Sequence, residues 1–354
     1  MDFAFSAEQE LLRSAARDYL TDRFPAERVV ARADADLEVA DTRDNATWRE
    51  LAELGWLDPD LCMLEHAVLA EETGAALLPA PWWSTVGLAW PLLDEELRAG
   101  ISAGERSATL AWTEPGGPAT IAAAASDSAT SAGPAGALTG TKVCVPDLTS
   151  VTDVVVVAAD GLYVVDLVAN RGVVTPRSTM DRTRRLGELR LDGTPARRLD
   201  AGPDALPIAR RQAMALLACE SVGIAQRALD LTAAYTKERQ QFGRVIGTYQ
   251  GVSHRVANTF VAVQLSRSMA YWAAWAVSAS DPDADAAVAG ASASAGEGAV
   301  FACEQSIQAH GGIGFTWEHV LHRYYKRAQW NNGFEGTGAT QRAVIAEKIL
   351  GSAG

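Results

Sequence analysis

Residues 308–337 read QAHGGIGFTWEHVLHRYYKRAQWNNGFEGT. The run contains a double glycine at Gly311-Gly312, an amphipathic helix of aromatic and basic residues, and one carboxylate set in Phe334-Glu335-Gly336-Thr337. A glutamate between an aromatic residue and a glycine, just past a helix, can be projected from a hinge into a pocket. The sequence before this run has the same helical character. An apolar stripe through Leu216, Leu217, Val222, Ile224, Ala228 and Leu231 predicts a helix over 208–238. Further helices are predicted over 252–278, 286–310 and 318–329, with a turn at Asp281-Pro282-Asp283. Four long antiparallel segments predict a C-terminal four-helix bundle, residues 206–354.

The periodicity differs over residues 105–205. Thr109–Thr113, Leu138–Val145, Val173-Val174, Thr183–Leu186 and Leu189–Leu191 are strand-like. Val151–Ala159 and Leu162–Val168 pair across Asp160-Gly161, a hairpin signal. Ser126–Gly136, rich in Ser, Ala, Gly and Pro, is expected as an exposed connection. The first part, residues 1–104, is helical again. Ser6 and Gln9 have capping-box spacing ahead of a stripe of Leu11, Leu12, Ala15, Ala16, Tyr19 and Leu20. Helices are also expected at Thr47–Leu54, with Trp48, Leu51 and Leu54 on one face, at Leu61–Thr73, and at Ser84–Leu97 with a kink at Pro91. The predicted fold is mainly α with a central β-barrel or sandwich domain, in the order α, β, α.

Composition removes several classes of function. A formal charge of -13 over 354 residues argues against binding a nucleic-acid backbone. Cys62, Cys144, Cys219 and Cys303 form no CxxC pair and are expected to be free, buried and apolar in a reducing cytoplasm. The start of the chain lacks a basic segment followed by an apolar one, and no apolar run reads as a membrane span, so a cytoplasmic protein is expected. His319 and His322 lack a third ligand and are expected on an exposed helical face, with no metal. Gly311-Gly312-Ile313-Gly314 follows a helix and fails as a dinucleotide fingerprint. In Arg239–Gln250, by contrast, glycines at 243 and 247 permit a tight turn between helices. Arg239 and Arg244 there could fork onto a diphosphate, or could equally be solvated loop arginines.

Together these residues resemble the acyl-CoA dehydrogenases over nearly the whole chain. The resemblance rests on Thr113-Glu114-Pro115, on Arg239-x-x-Phe242-Gly243 with Gln250, on Gln308-x-x-Gly311-Gly312-x-Gly314, and on Glu335-Gly336-Thr337. The Phe315–His319 extension looks like the actinobacterial branch, which includes members of heteromeric α2β2 enzymes. The resemblance implies an enzyme with FAD held between the β domain and the bundle, completed by a neighbouring subunit. Such enzymes oxidise an acyl-CoA to the 2,3-enoyl thioester and pass electrons to an electron-transfer flavoprotein. By position it implies Trp112 and Thr113 beside the flavin ring. Arg239, Phe242, Gln250, Gln308, Gly311 and Gly312 would lie along the diphosphate and adenosine, and Thr337 beside the adenosine diphosphate. Glu335 takes the place of the catalytic base, following the basic helix of Arg323, Lys326 and Arg327. It removes the α-proton while flavin N5 accepts the β-hydride. The same glutamate would also suit a cap on a following helix.

The chain departs from the family pattern in places. Ala119 stands where a serine touches flavin or substrate, and Cys144-Val145-Pro146 replaces Trp-Ile-Thr. Met214 occupies the place of an arginine that binds CoA, and Ala213 that of an alternative base. Glu220 nearby is read as a helix-packing residue. These departures open a second expectation, a non-catalytic or half-site partner subunit of a heteromeric enzyme. Either a homotetramer, a homodimer or a heteromer with a related subunit fits the resemblance.

Overall fold

The computed structural model describes residues 5–35, 45–133, 136–170 and 173–351. Its helices are α1 (Ala7–Arg23), α2 (Ala26–Asp34), α3 (Asn45–Glu53), α4 (Met63–Ala76), α5 (Glu95–Ser102), α6 (Ile121–Ser126), α7 (Ala205–Glu238), α8 (Gln250–Ser278), α9 (Ala284–His310), α10 (Leu321–Gly333) and α11 (Gly338–Leu350). The strands are β1 (Ala108–Ala111), β2 (Ser131–Ala132), β3 (Leu138–Pro146), β4 (Asp153–Ala158), β5 (Gly161–Asp166), β6 (Val174–Arg177), β7 (Leu186–Thr194), β8 (Arg197–Arg198), β9 (Gln240–Gln241) and β10 (Arg244–Val245). Two compact units result. One holds the described residues up to Ala33, Cys62–Leu78 and those from Ala215; the other holds those of 34–61 and Pro79–Met214.

The helical unit begins on the expected capping box. Ser6 Oγ accepts from the Gln9 amide at 3.1 Å, and Gln9 Oε1 accepts from the Ser6 amide at 3.1 Å. Of the predicted stripe, Ala16 and Leu20 are buried whereas Leu11 faces solvent. The closest approach in the unit is between α4 and α7. A methyl at Gly74 would collide with the Glu220 carbonyl, and one at Gly223 with the Glu71 carbonyl. Only glycine lets these backbones meet. Gly223→Ala is therefore expected to lower stability by about 1–3 kcal/mol through forced separation of the two helices. Chemical denaturation would measure it as a drop in midpoint.

At the centre of the bundle, α9 buries mostly small residues: alanines from Ala284 to Ala302, Gly290, Gly296, Cys303 and Ser306. It packs against α8, α10 and α11. Residues 284–315 are long and apolar enough to cross a membrane, a point the sequence reading passed over; 67% of the apolar window is buried within the protein. Beyond the four predicted segments, α11 forms a fifth.

The β unit carries two four-stranded sheets, ordered β1-β4-β5-β8 and β2-β3-β7-β6. β1 runs parallel to β4, and every other pairing is antiparallel. The β4–β5 hairpin forms as expected, with Ala158 opposite Gly161 and Asp153 opposite Asp166. Val145, Leu148, Val154, Val156, Val165 and Leu189 lie in its core. Residues 183–185 do not join the strand that follows. Asp181 Oδ1 accepts from the Thr183 amide at 2.8 Å and the Thr183 hydroxyl at 2.6 Å, a local turn that competes with ladder bonds. The predicted 84–97 helix is also broken up. Trp83–Ala89 is a π-helix, Trp90–Leu92 a 3-10 turn around Pro91, and α5 restarts behind the N-cap Asp94.

Candidate functional site

In the β unit, β1 leads into Trp112-Thr113-Glu114, and the glutamate is the anchor. Its Oε1 accepts from Lys142 Nζ at 2.6 Å, Thr130 Oγ1 at 2.6 Å and Ser128 Oγ at 2.9 Å, while Oε2 accepts from the Ala129 amide at 2.8 Å. Lys142, on β3 and wholly buried, also donates to the Trp112 carbonyl at 3.3 Å. The segment expected as an exposed connection therefore wraps a carboxylate, and Thr130 is fully buried; Pro134 and Ala135 of that segment lie outside the described residues. Burial alone would raise the Glu114 carboxyl. The Lys142 bond, with those from Thr130, Ala129 and Ser128, outweighs it and holds the group down at about 2.

The depressed carboxyl stabilises the fold above its unfolded value of 4.5, and that contribution is lost as pH falls toward about 2. Glu114→Gln is expected to flatten this part of the acid-stability profile, as read from melting temperatures at stepped pH. Trp112 is nearly buried, its indole N–H donating to the Ala119 carbonyl at 2.8 Å, and the Thr113 carbonyl accepts from the Val143 amide. This bond from the Trp112 indole to the Ala119 carbonyl holds the place where the resemblance expects a serine.

In the helical unit, Arg239, Phe242, Gly311 and Gly312 line one cavity of about 480 Å³. α7 ends at Glu238, as the apolar stripe predicts. Gln240-Gln241 pairs antiparallel with Arg244-Val245 across Phe242 and Gly243, which take φ of 51° and 79°. This two-residue turn holds the Phe242 ring 94% exposed. The Arg244 guanidinium lies over the ring of Tyr249, a residue of this cavity's wall, at 4.0 Å, and Arg244 itself is not part of the lining. Sequence reasoning missed the cavity's other wall, where Tyr235 stacks on His310 at 4.3 Å. The helical spacing of Tyr235 to Arg239 was the available signal. Gln250 and Gln308 are exposed outside the cavity lining, and neither Glu335 nor Thr337 belongs to it.

Glu335 sits in the four-residue connection, Phe334 to Thr337, between α10 and α11. It is only 5% exposed and takes φ 59°, a left-handed conformation rare for a residue with a Cβ. Gln341 of α11 donates from Nε2 to the Glu335 carbonyl at 2.7 Å, and Gly336 follows at φ 102°. The glutamate is thus not an exposed cap. Thr337 is exposed as the N-cap of α11, with its hydroxyl 3.4 Å from that of Thr340. In the preceding helix Arg323 and Arg327 are buried, and Arg323 and Lys326 lie against Trp317 at 4.7 and 4.5 Å. Arg327 pairs with Glu220 at 2.8 Å, so Glu220 packs helices as expected.

Two expectations fail. Cys219 and Cys303 are buried, but Cys62 and Cys144 are exposed. Cys144 lies in a β-bulge, between the paired residues Lys142 and Val145 and at φ 56°, which overrides the strand alternation. His319 and His322 do not share an exposed helical face. His319 packs on His310 at 4.8 Å, and His322 stacks on Trp317 at 4.7 Å. Burial lowers the His319 pKa, helped by the two other imidazoles. Among the described residues no cluster of His, Cys, Asp and Glu could hold a metal ion.

The residues present fit the adenosine diphosphate portion of FAD. A methyl at Gly311 or Gly312 would meet nothing within 4 Å, so their backbone is open to close approach. An exposed aromatic ring and the Arg239 guanidinium lie on the same cavity. Stacking and anion recognition are the chemistry that such a set performs.

Comparison with known proteins agrees with this fold. The family described as "Acyl-CoA dehydrogenase, C-terminal domain" matches residues 212–350. Acyl-CoA dehydrogenase IpdE2 of Mycolicibacterium smegmatis is 32% identical over 337 residues, 91% of this chain and 93% of that protein. Acyl-CoA dehydrogenase IpdE2 of Mycobacterium tuberculosis is 36% identical over 196 residues, 54% of this chain and 57% of that one. The solved structure of a variant of the Tcur3481-Tcur3483 steroid ACAD superposes with a TM-score of 0.83 at 31% identity, covering 98% of both chains. The chain belongs to the acyl-CoA dehydrogenase family, a family of flavin-dependent oxidoreductases.

Proposed function

We propose that this chain is an FAD-dependent acyl-CoA dehydrogenase that forms a 2,3-enoyl-CoA with Glu335 as the base. The observation that carries the reading is the corner between α10 and α11, where a buried glutamate holds a conformation that costs about 1–3 kcal/mol. Such a cost is borne where side-chain direction matters. Glu335 removes the α-proton of the thioester from a carboxylate shielded from water, which suits abstraction from a weak carbon acid. Arg239, Phe242, Gly311 and Gly312 hold the adenosine diphosphate end of FAD, joined by Gln250, Gln308 and Thr337, while Trp112 and Thr113 line its ring. When bound, FAD supplies the acceptor for the β-hydrogen and its electron pair. An electron-transfer flavoprotein is the proposed onward acceptor, and the cytoplasm the proposed compartment.

The test is the visible spectrum of the purified protein, alone and after addition of acyl-CoA thioesters. A yellow sample that bleaches supports the reading. A colourless sample that takes up no flavin on incubation with FAD sinks it.

One observation favours a second reading, a half-site partner in a heteromer. Ala213 and Met214 are both buried, and the Trp83 indole N–H donates to the Ala213 carbonyl at 3.0 Å. Arg184 lies over the same Trp83 ring at 4.6 Å. The chain's own side chains thus pack against the stretch expected to meet CoA. A stable heteromer with a related subunit, carrying half the flavin of a full complement, would decide for this reading.

A further inference from the structure

We propose that Glu220 is a positioning residue for Glu335, acting through α10; the inference rests on Glu335 being the base. Positions 327 and 331 are four residues apart on one side of α10, which ends at Gly333, two residues before Glu335. Both are tied to α7. Arg327 Nη1 donates to Glu220 Oε1 at 2.8 Å. Asn331 Nδ2 donates to the same oxygen at 3.4 Å and to Ser221 Oγ at 3.1 Å. Glu220, Ser221, Arg327 and Asn331 are all buried.

α7 is itself held at this height. The backbone contacts of Gly74 with Glu220 and of Gly223 with Glu71 pin it against α4. A third tie joins α10 to α4, the Tyr324 hydroxyl donating to the Ala75 carbonyl at 2.7 Å. These bonds oppose rotation and sliding of α10, and Glu335 leaves from the end that they hold. Gln341 clamps its carbonyl from the other side. With the backbone set at both flanks, only side-chain torsions are left to aim the carboxylate.

A buried ion pair is weak support for stability, because apolar residues of similar volume often serve as well. A role in direction accounts for the pair without requiring that it stabilise the fold. Misplacement of a catalytic group by about 1 Å can slow a reaction about 100-fold. Loss of the pair would act on the rate in this way.

The test uses the FAD-loaded protein and the double variant Glu220→Leu/Arg327→Met, which replaces the pair by apolar side chains. The probes are butyryl-CoA, octanoyl-CoA and cyclohexanecarbonyl-CoA in deuterated buffer. Exchange of their α-protons reports the proton step without an electron acceptor. The double variant should keep its melting temperature and flavin content. Its α-proton exchange should slow about 100-fold, with kcat falling more than KM changes, and amide exchange over 331–341 should accelerate.

Should the double variant not fold, Asn331→Leu keeps the ion pair and removes only the bonds from α10 to Ser221 and Glu220. About tenfold slower α-proton exchange, with faster amide exchange over the same segment, is then expected. Unchanged α-proton exchange in a folded variant overturns the positioning role while leaving Glu335 as base. Exchange that is absent from the wild type, or indifferent to Glu335→Gln, overturns the base itself and Glu220's task with it.

Discussion

Glu335→Gln is expected to leave FAD bound and to slow flavin reduction by acyl-CoA about 10²–10⁴-fold, the range lost when a positioned general base is removed. The amide keeps the size of the side chain, and the backbone at φ 59° is held by Gln341 and Gly336, which the substitution leaves in place. Neither Glu335 nor its neighbours line the cavity of Arg239 and Phe242, so cofactor retention separates from chemistry. Stopped-flow absorbance after mixing with acyl-CoA measures the rate, and the resting spectrum measures the flavin. A variant that is bleached as fast as the wild type would remove Glu335 from the reaction.

Arg327→Met alone is expected to cost about 3–5 kcal/mol, because it strands the Glu220 carboxylate inside the bundle. The Asn331 amide 3.4 Å away cannot neutralise that charge. Adding Glu220→Leu should return most of the loss, since the second change removes the stranded charge instead of a further contact. Urea denaturation of the two single variants and the double variant closes the cycle. Single variants as stable as the wild type would mean that the pair is hydrated, against its burial.

The features legible in the sequence were those with a local cause. Ser6 and Gln9 announced α1 because a capping box is written in four residues. Gly161 announced the β4–β5 turn because continuous apolar runs flank Asp160-Gly161 on both sides. Hydrophobic periodicity gave the order α, β, α, but residue patterns alone left Glu335 as either a cap or a group projected into a pocket. Its burial depends on what α10 and α11 pack against, which no short window contains.

The failures share a physical reason. Phe242-Gly243 turns like a hairpin but lacks the usual Asn-Gly or Asp-Gly, so the short strands β9 and β10 were not foreseen. Cys144 faces out because a bulge shifts the register after Lys142, and an apolar neighbourhood cannot show a shift of one residue. Ser128 and Thr130 looked like linker residues, yet they serve the Glu114 carboxylate from far along the chain. His319 and His322 were placed by helical spacing, but His319 precedes α10 and follows ring stacking instead.

The small side chains of α9 have a thermodynamic consequence. Alanine and glycine lose essentially no rotamer freedom on burial, whereas leucine or isoleucine loses about 0.5–1 kcal/mol and methionine more. Apart from Val288, Ile307 and His310, the buried face of this helix is therefore ordered mainly at the expense of its backbone. Its contribution to folding is low in side-chain entropy and high in close contact between main chains. The small side chains of the bundle centre thus leave few alternative rotamer packings to sample as temperature rises.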